Sequence, residues 1–277
     1  MELNLTGKVA LITGGSKGIG RQVALTFVKE GAKVAICARN QDTLEEAKKW
    51  IQDQVPGSEV FTVSADLQYE AEVQKVVSAT LNHYGEIDIL INNAGACPGY
   101  MLEDLNDEIW HKALAVKFLG YVRAMKAVMP HFKAKKKGVV VNVVGNDGLK
   151  YPYWELTGTA ANAADLAVAQ ALANQYGRYN IRINSVNPGP VDTDRWNDLM
   201  EAFGRDHNMT PAEANAIFER SVAMGRIATA QEIADVTVFL ASDRASYVHG
   251  TMINVDGNQQ KSVIDQIVSP ELYQLVR

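Results

Sequence analysis

The sequence predicts a single-domain, doubly wound α/β fold, with a seven-stranded parallel sheet and helices on both faces. Three observations carry that prediction. Apolar runs of strand length alternate with segments of helical period along the whole chain. Several runs, such as Val9-Ala10-Leu11-Ile12, lack polar alternation, as strands buried on both faces do. A glycine-rich turn, Thr13-Gly14-Gly15-Ser16-Lys17-Gly18-Ile19-Gly20, joins the first strand to the first helix.

Residues 9–13 form the first strand, and a helix over about 18–30 follows, with Ile19, Val23, Ala24 and Phe27 on one face. Gly31 closes that helix as a C-terminal cap. Residues 33–37 are the second strand, and Asp42 begins a helix that ends before Pro56. Residues 60–64 are the third, followed by a helix through Tyr84 that Gly85 stops. The fourth strand is 87–91, and one long helical pattern covers about 106–129. The fifth is 139–144, with an alanine-rich helix over about 157–176. Residues 181–187 and 252–255 complete the sheet, with a helix near 231–240 between them. The stretch from about 190 to 225 is charged and Met-rich, with the weakest periodic signal. It lies where a lid over a ligand crevice would sit, or it is a surface excursion with no function. Trp196 and Met200 within it either line an apolar pocket or pack the segment itself. No repeat, low-complexity tract or linker divides the chain, so residues 1–277 read as one domain.

A chain of 277 residues that is 47% hydrophobic can bury one large core. The net charge of −5 and pI near 5.6 argue against a nucleic-acid partner, which needs a basic face. The densest basic patch, Lys133, Lys135, Lys136 and Lys137, is a helix end whose cations complement the dipole. Cys37 and Cys97 make neither a disulfide framework nor a metal site, and Cys37 reads as a small buried residue. The N-terminal residues lack a signal-peptide pattern, and no apolar run is long enough to span a membrane. The expectation is a cytoplasmic protein that acts on a small molecule.

Strand, glycine turn and helix together make a dinucleotide site. The glycines let the backbone approach a pyrophosphate, and N–H groups at the helix start meet its charge. Alone, Gly-x-x-x-Gly-x-Gly could also be a plain tight turn.

With this order of elements the chain resembles the short-chain dehydrogenase/reductase family over nearly its whole length. Thr13 to Gly20 is similar to that family's Thr-Gly-x-x-x-Gly-x-Gly turn, in which Gly14, Ser16, Lys17, Gly18, Ile19 and Gly20 would meet the cofactor. Asp66-Leu67 resembles the pair that contacts the adenine ring, and Asn92-Asn93-Ala94-Gly95 the family's Asn-Asn-Ala-Gly segment. Pro188-Gly189, with Val191 and Thr193 following, resembles the segment whose threonine holds the nicotinamide amide; Asp256-Gly257 is also typical. The resemblance implies a Rossmann-like fold, oxidoreductase activity on a carbonyl or alcohol, and assembly as homodimers or homotetramers. Such assembly uses the two long helices after the fourth and fifth strands, where Ala160, Ala161, Ala164, Ala167 and Ala171 would allow close packing. Cofactor choice follows from charge. The end of the second strand reads Cys37-Ala38-Arg39-Asn40, with an arginine where NAD binding calls for an acid. Arg39 and Lys17 can both meet a 2′-phosphate, so the expected cofactor is NADP(H).

The match breaks at the residues that carry the family's chemistry. Counting from Pro188-Gly189 and from the fifth strand puts Gly158 at the tyrosine position, Asn162 at the lysine position and Gly145 at the serine position. Lys117 stands where the helix asparagine belongs. Glycine carries no proton, and Asn162 can bind a ribose hydroxyl but cannot lower a neighbour's pKa. Tyr151 and Tyr153 do not restore the motif, because Glu155 and Thr157 stand four residues beyond them. The candidate replacements are Tyr153, Asp147 (with Asn146 beside it) and Lys117, against the plainer readings of a packed aromatic, a turn residue and a solvated side chain. His111 and His249 are not expected near the nicotinamide. Three functions remain open at this point. They are an NADP-dependent oxidoreductase with a substitute proton donor, a lyase, hydratase or isomerase on the same scaffold, and a non-catalytic NADP-binding protein.

Overall fold

The computed structural model describes residues 2–95 and 97–270. Strand β1 (Val9–Thr13) runs into α1 (Gly18–Lys29), β2 (Lys33–Ala38) into α2 (Gln41–Gln54), and β3 (Val60–Ser64) into α3 (Glu70–Tyr84). After β4 (Ile89–Asn92) come α4 (Asp107–Val116) and α5 (Phe118–Lys135). Strand β5 (Gly138–Val143) leads to the one-turn α6 (Asp147–Lys150) and to α7 (Leu156–Tyr176). Next are β6 (Ile181–Pro188), β7 (Val191–Asp192), α8 (Asp194–Asp206), α9 (Pro211–Ser221) and β8 (Ala228–Thr229). The last elements are α10 (Ala230–Ala241), β9 (Met252–Val255) and α11 (Lys261–Val268).

Seven strands pair in the order β3-β2-β1-β4-β5-β6-β9, all parallel, as expected. The order turns back between β1 and β4, which opens a crevice at the carboxyl ends of the strands. The register Thr13↔Cys37 and Ile12↔Ile91 brings the ends of β1, β2 and β4 level there. The unalternated apolar runs have a direct cause. In β1, Ala10 and Ile12 enter a core shared with Phe27 of α1 and Val238 of α10, whereas Leu11 enters the opposite core with Val128 and Phe132 of α5. Both faces of the strand are dry.

Two expectations need correction. The helical pattern over 106–129 is two helices that meet at Lys117, and the second passes through Pro130 to Lys135. At the junction the Ala115 carbonyl accepts a hydrogen bond from the Arg123 guanidinium at 3.0 Å, and the buried Lys117 side chain turns into the fold. Pro130 removes one N–H from the ladder, but Phe132 beyond it is fully buried and anchors the last turn. The second correction concerns 190–225, which is mostly helical. Thr193 caps α8 by accepting from the Trp196 N–H, and Thr210 with Glu213 forms a capping box on α9. Their apolar faces form a third core in which Trp196, Met200 and Phe203 meet Phe218, Trp154 and Ile264. Trp196 and Met200 therefore pack the segment itself.

Of the alanine stripe on α7, Ala161 is buried while Ala160, Ala167 and Ala171 face outward. No helix among the described residues is long and apolar enough to cross a membrane. Because Phe132 fills the space under Gly138, where an added Cβ would lie 2.3 Å from its ring, Phe132→Ala leaves an unfilled cavity. The expected loss of stability is about 3–5 kcal/mol, read by chemical denaturation followed by circular dichroism.

Candidate active site

The glycine turn is held open by its neighbours. The Thr13 hydroxyl accepts from the Asn93 and Ala94 N–H groups at 2.9 and 3.1 Å. The Asn93 amide donates to the carbonyls of Thr13 and Gly14 at 3.1 and 3.2 Å. Gly14 has φ +67°, and a Cβ on it would lie 2.8 Å from Ala94 Cα, so only glycine fits. Helix α1 then starts at Gly18, next to half-buried Ser16 and Ile19, with no side-chain cap on Lys17 and no acid in its first turn. Its first N–H groups are left for an external anion.

The other predicted cofactor residues ring this turn. Thr193, which caps α8, lies over Gly18, with its Cγ2 3.3 Å from where a Cβ would stand. Lys17 and Arg39 are exposed, and among the described residues neither pairs with a carboxylate. Asp66 accepts from the Gln68 N–H at 3.0 Å, and buried Leu67 lends its carbonyl to Arg123. The Pro188 carbonyl accepts from Asn146 N–H, Gly189 N–H donates to Val255, and Val191 is buried in β7. Gly95 lies against the Lys117 stem, whose Cδ would be 2.9 Å from a Cβ there. Donors at a helix start, backbone bare enough for close approach and unpaired cations are what a dinucleotide requires.

Across the crevice, the residues proposed for chemistry fall into two groups. Lys117 is 8% exposed, and its Nζ donates to the Val143 carbonyl at 3.1 Å and to the Tyr121 hydroxyl at 3.2 Å. Burial lowers the pKa of its ammonium, against the pull of Asp165, Cys97 and Asp147. Gly158, Asn162 and Asp165 are all buried and share the face of α7 that the spacing i, i+4, i+7 defines. Neither oxygen of Asp165 has a hydrogen-bond donor among the described residues, nor does Oδ1 of Asn162. Burial pushes the Asp165 carboxyl up to about 8, with Lys117 opposing. Cys97 stays a thiol, pushed up to about 11 by burial. Gly145 sits at φ +120°, where a side chain would be strained, and a Cβ there would lie 2.8 Å from Asn162 Nδ2 and displace that amide.

Asp147 belongs to the second group. Its Oδ1 is 2.7 Å from Lys261 Nζ, and its Oδ2 is 3.8 Å from the point a Cβ on Gly158 would occupy. The same lysine reaches Glu155 Oε2 at 2.8 Å. Burial first, then the Asp147 charge, pushes the Glu155 carboxyl up to about 6, while Lys261 restrains it. Burial acts to lower the Lys261 pKa, but the two carboxylates outweigh it and hold the ammonium above its ordinary range. Asn146 donates to Asp256 at 3.1 Å and to Gln259 at 2.8 Å. The Tyr153 hydroxyl is 2.8 Å from His207 Nε2, beside the ring contacts of Trp154, Phe203 and His207.

The Lys117 and Asp147 groups thus lie within electrostatic reach of each other, and Tyr153 is held by His207 at the end of α8. Glu155, Asp165 and Lys261 were not singled out from the sequence. The signal for Asp165 was present: polar side chains recur at helical spacing with Gly158 in an otherwise alanine-rich helix. His111 is exposed, and His249 is structural, accepting from the Ile183 N–H and bonded to the Ala173 carbonyl.

A family model described as short chain dehydrogenase matches residues 8–203. The chain is 32% identical to levodione reductase of Leifsonia aquatica over 256 residues, covering 92% of this chain and 94% of that one. It is 27% identical to the NADPH-dependent reductase BacG of Bacillus subtilis (strain 168) over 259 residues, 94% of this chain and all (100%) of that one. The solved structure of L-sorbose reductase from Gluconobacter frateurii, complexed with NADPH and L-sorbose, superposes with a TM-score of 0.87 at 30% identity, over 94% of this chain and 99% of that one.

Asp165 binds its proton more tightly in the folded chain than in the unfolded one. With a carboxyl raised from 3.8 to about 8, its contribution to stability falls as the pH rises through that window. Asp165→Asn removes the fall. The Tm difference between variant and wild type should grow more positive from about pH 4 to about pH 8, measured by thermal unfolding at both ends.

Proposed function

Because the chain belongs to the short-chain dehydrogenase family of oxidoreductases, we propose that it is an NADP(H)-dependent enzyme that interconverts a carbonyl and an alcohol on a small molecule. Its proton donor, on this reading, is not the tyrosine usual in that family. The observation that carries the cofactor choice is the charge beside the glycine turn. Lys17 and Arg39 follow paired strand ends, exposed and without a carboxylate partner among the described residues. Two such cations suit a 2′-phosphate, whereas a ribose diol calls for an acid. That L-sorbose reductase was solved with NADPH and that BacG is NADPH-dependent supports the same choice.

On this reading Gly14, Ser16, Gly18, Ile19 and Gly20 receive the diphosphate, and Asp66 with Leu67 the adenine. Asn93, Ala94, Gly95, Pro188, Gly189, Val191 and Thr193 face the nicotinamide half, and Asn162 takes a ribose hydroxyl. Bound NADP(H) supplies or accepts a hydride. The chain itself must orient the substrate and manage a proton. Gly145, Gly158, Asn162 and Lys117 stand where the family keeps serine, tyrosine, lysine and asparagine. The crowding of Gly145 against Asn162 argues that these replacements belong together. Asp147 is the leading proton carrier, because its Oδ2 faces the space over Gly158. Lys117 provides positive charge for the substrate oxygen as it becomes an alkoxide. Tyr153 is the competing donor, and α8 with α9 is the lid, its Arg195 donating to the Cys97 carbonyl.

Two measurements test this reading. Fluorescence titration should give tighter binding of NADPH than NADH, and Arg39→Asp should weaken NADPH by about 10–100-fold, the worth of a charged hydrogen bond. Unchanged affinity for both cofactors in that variant overturns the assignment. Against a panel of aldehydes and ketones, Asp147→Asn should lower turnover by about 10²–10⁴-fold while NADPH still binds. Turnover lost instead in Tyr153→Phe moves the proton to Tyr153, and conversion of a substrate with no change in nicotinamide absorbance ends the redox reading.

A further inference from the structure

Lys261 comes from α11, far along the chain from Asp147, and lies outside the residues that the family model covers. Its ammonium is buried and has three N–H donors. One meets Asp147 Oδ1 at 2.7 Å, and one meets Glu155 Oε2 at 2.8 Å. The Nζ also lies 5.9 Å from the centre of the Phe218 ring. Sharing one ammonium brings the Asp147 and Glu155 carboxyl groups together, and the Asp147 charge favours a proton on Glu155. With one oxygen of Asp147 taken by Lys261, the other is the one 3.8 Å from the Cβ point of Gly158. The segment is strapped down on either side. Lys150 bridges to Asp256 at 2.6 Å and donates to the Gln259 carbonyl, and Asn146 reaches both residues.

We propose that Asp147 and Glu155 act as one acid–base unit, and that Lys261 is the positioning residue that keeps its reactive oxygen turned to the substrate space above Gly158. This rests on the reading of Asp147 as the group that exchanges the proton. The titratable groups around the unit are Lys261 and Asp265 on α11 and, more distantly, Lys117 and the Cys97 thiol. When a carbonyl is reduced, its oxygen takes the proton from Asp147. Asp147 draws that single proton from Glu155 as it gives it up, and two carboxylates remain around one ammonium. Lys261 offsets one of those charges, and water returns the proton. The same steps in reverse take the proton of an alcohol. A lone carboxylate at this place would be ionised and would have nothing to give; the pair retains a proton because two adjacent carboxylates resist losing both.

Infrared difference spectra, wild type minus Glu155→Gln, isolate the C=O band of the protonated carboxyl and need neither cofactor nor turnover. The band should titrate near pH 6 in the wild type, as burial and the Asp147 charge imply. In Lys261→Met, compared with its own Glu155→Gln double variant, the titration should move upward by about one to three pH units, because the nearby cation that favours ionisation is gone. Lys261→Arg should restore it. The fall of kcat/KM for carbonyl reduction with rising pH should move with the band, a displacement that a purely structural role would not produce. A band that is absent from the wild-type difference, or one that stays in place in Lys261→Met, overturns the proposal; the wild-type spectrum alone decides it if Lys261→Met fails to fold. A band that moves as expected, with no turnover on any carbonyl, upholds the unit and removes the oxidoreductase reading instead.

Discussion

The site depends on the bracing between the ends of β1 and β4. Four hydrogen bonds join Thr13 and Gly14 to Asn93 and Ala94, and all of them run between residues about 80 positions apart. They select one shape for the glycine turn, with Gly14 and Gly18 at the positive φ that glycine adopts without strain. The same bracing fixes Gly95, against which the Lys117 stem packs. The glycine turn and the Lys117 side of the crevice therefore share one support.

The second theme is the amount of charge that the fold buries. Lys117, Asp165, Asp147, Glu155 and Lys261 would pack more cheaply as apolar residues, because an ion pair removed from water seldom repays its desolvation. Asp165 is the extreme case, with both oxygens lacking a donor among the described residues. Such groups persist where chemistry needs them more than stability does. Glycine at 145 and 158 belongs to the same pattern. Gly145 yields its space to the Asn162 amide, and a Cβ on Gly158 would stand in ordinary contact with Cys97 and the Asp147 carboxylate.

Much of the fold was legible in the sequence because its signals are local. Gly85 stops α3 in the left-handed conformation a C-terminal glycine supplies, and the unalternated strands announce burial on both sides. Charge at Lys17 and Arg39 was legible for the same reason, as each lies a few residues beyond a strand end. What escaped was non-local or composite. The break at Lys117 coincides with a guanidinium that reaches back from Arg123 to the Ala115 carbonyl, which no window of hydrophobic period registers. Helices α8 and α9 hid behind their charged outer faces, although Trp196, Met200 and Phe203 carry the right spacing and Thr210 with Glu213 the right cap. In the sequence Glu155 stands only where a lysine would complete the motif from Tyr151. Its partner Lys261 stands more than a hundred residues away, beyond the reach of any motif.

The strap that runs from Asn146, Asp147 and Lys150 to Asp256, Gln259 and Lys261 also has a consequence in time. A ribosome delivers β1 to β6, the nucleotide turn and Asp147 long before it delivers the lysine that neutralises Asp147 and Glu155. Until residues 256–261 emerge, a nascent chain holds two adjacent carboxylates and no counter-ion in its most confined corner. Like-charge repulsion should keep that corner open and wet. The strap that joins these residues is thus the last part of the chain to reach its final charge balance, after the strands and the glycine turn have been delivered.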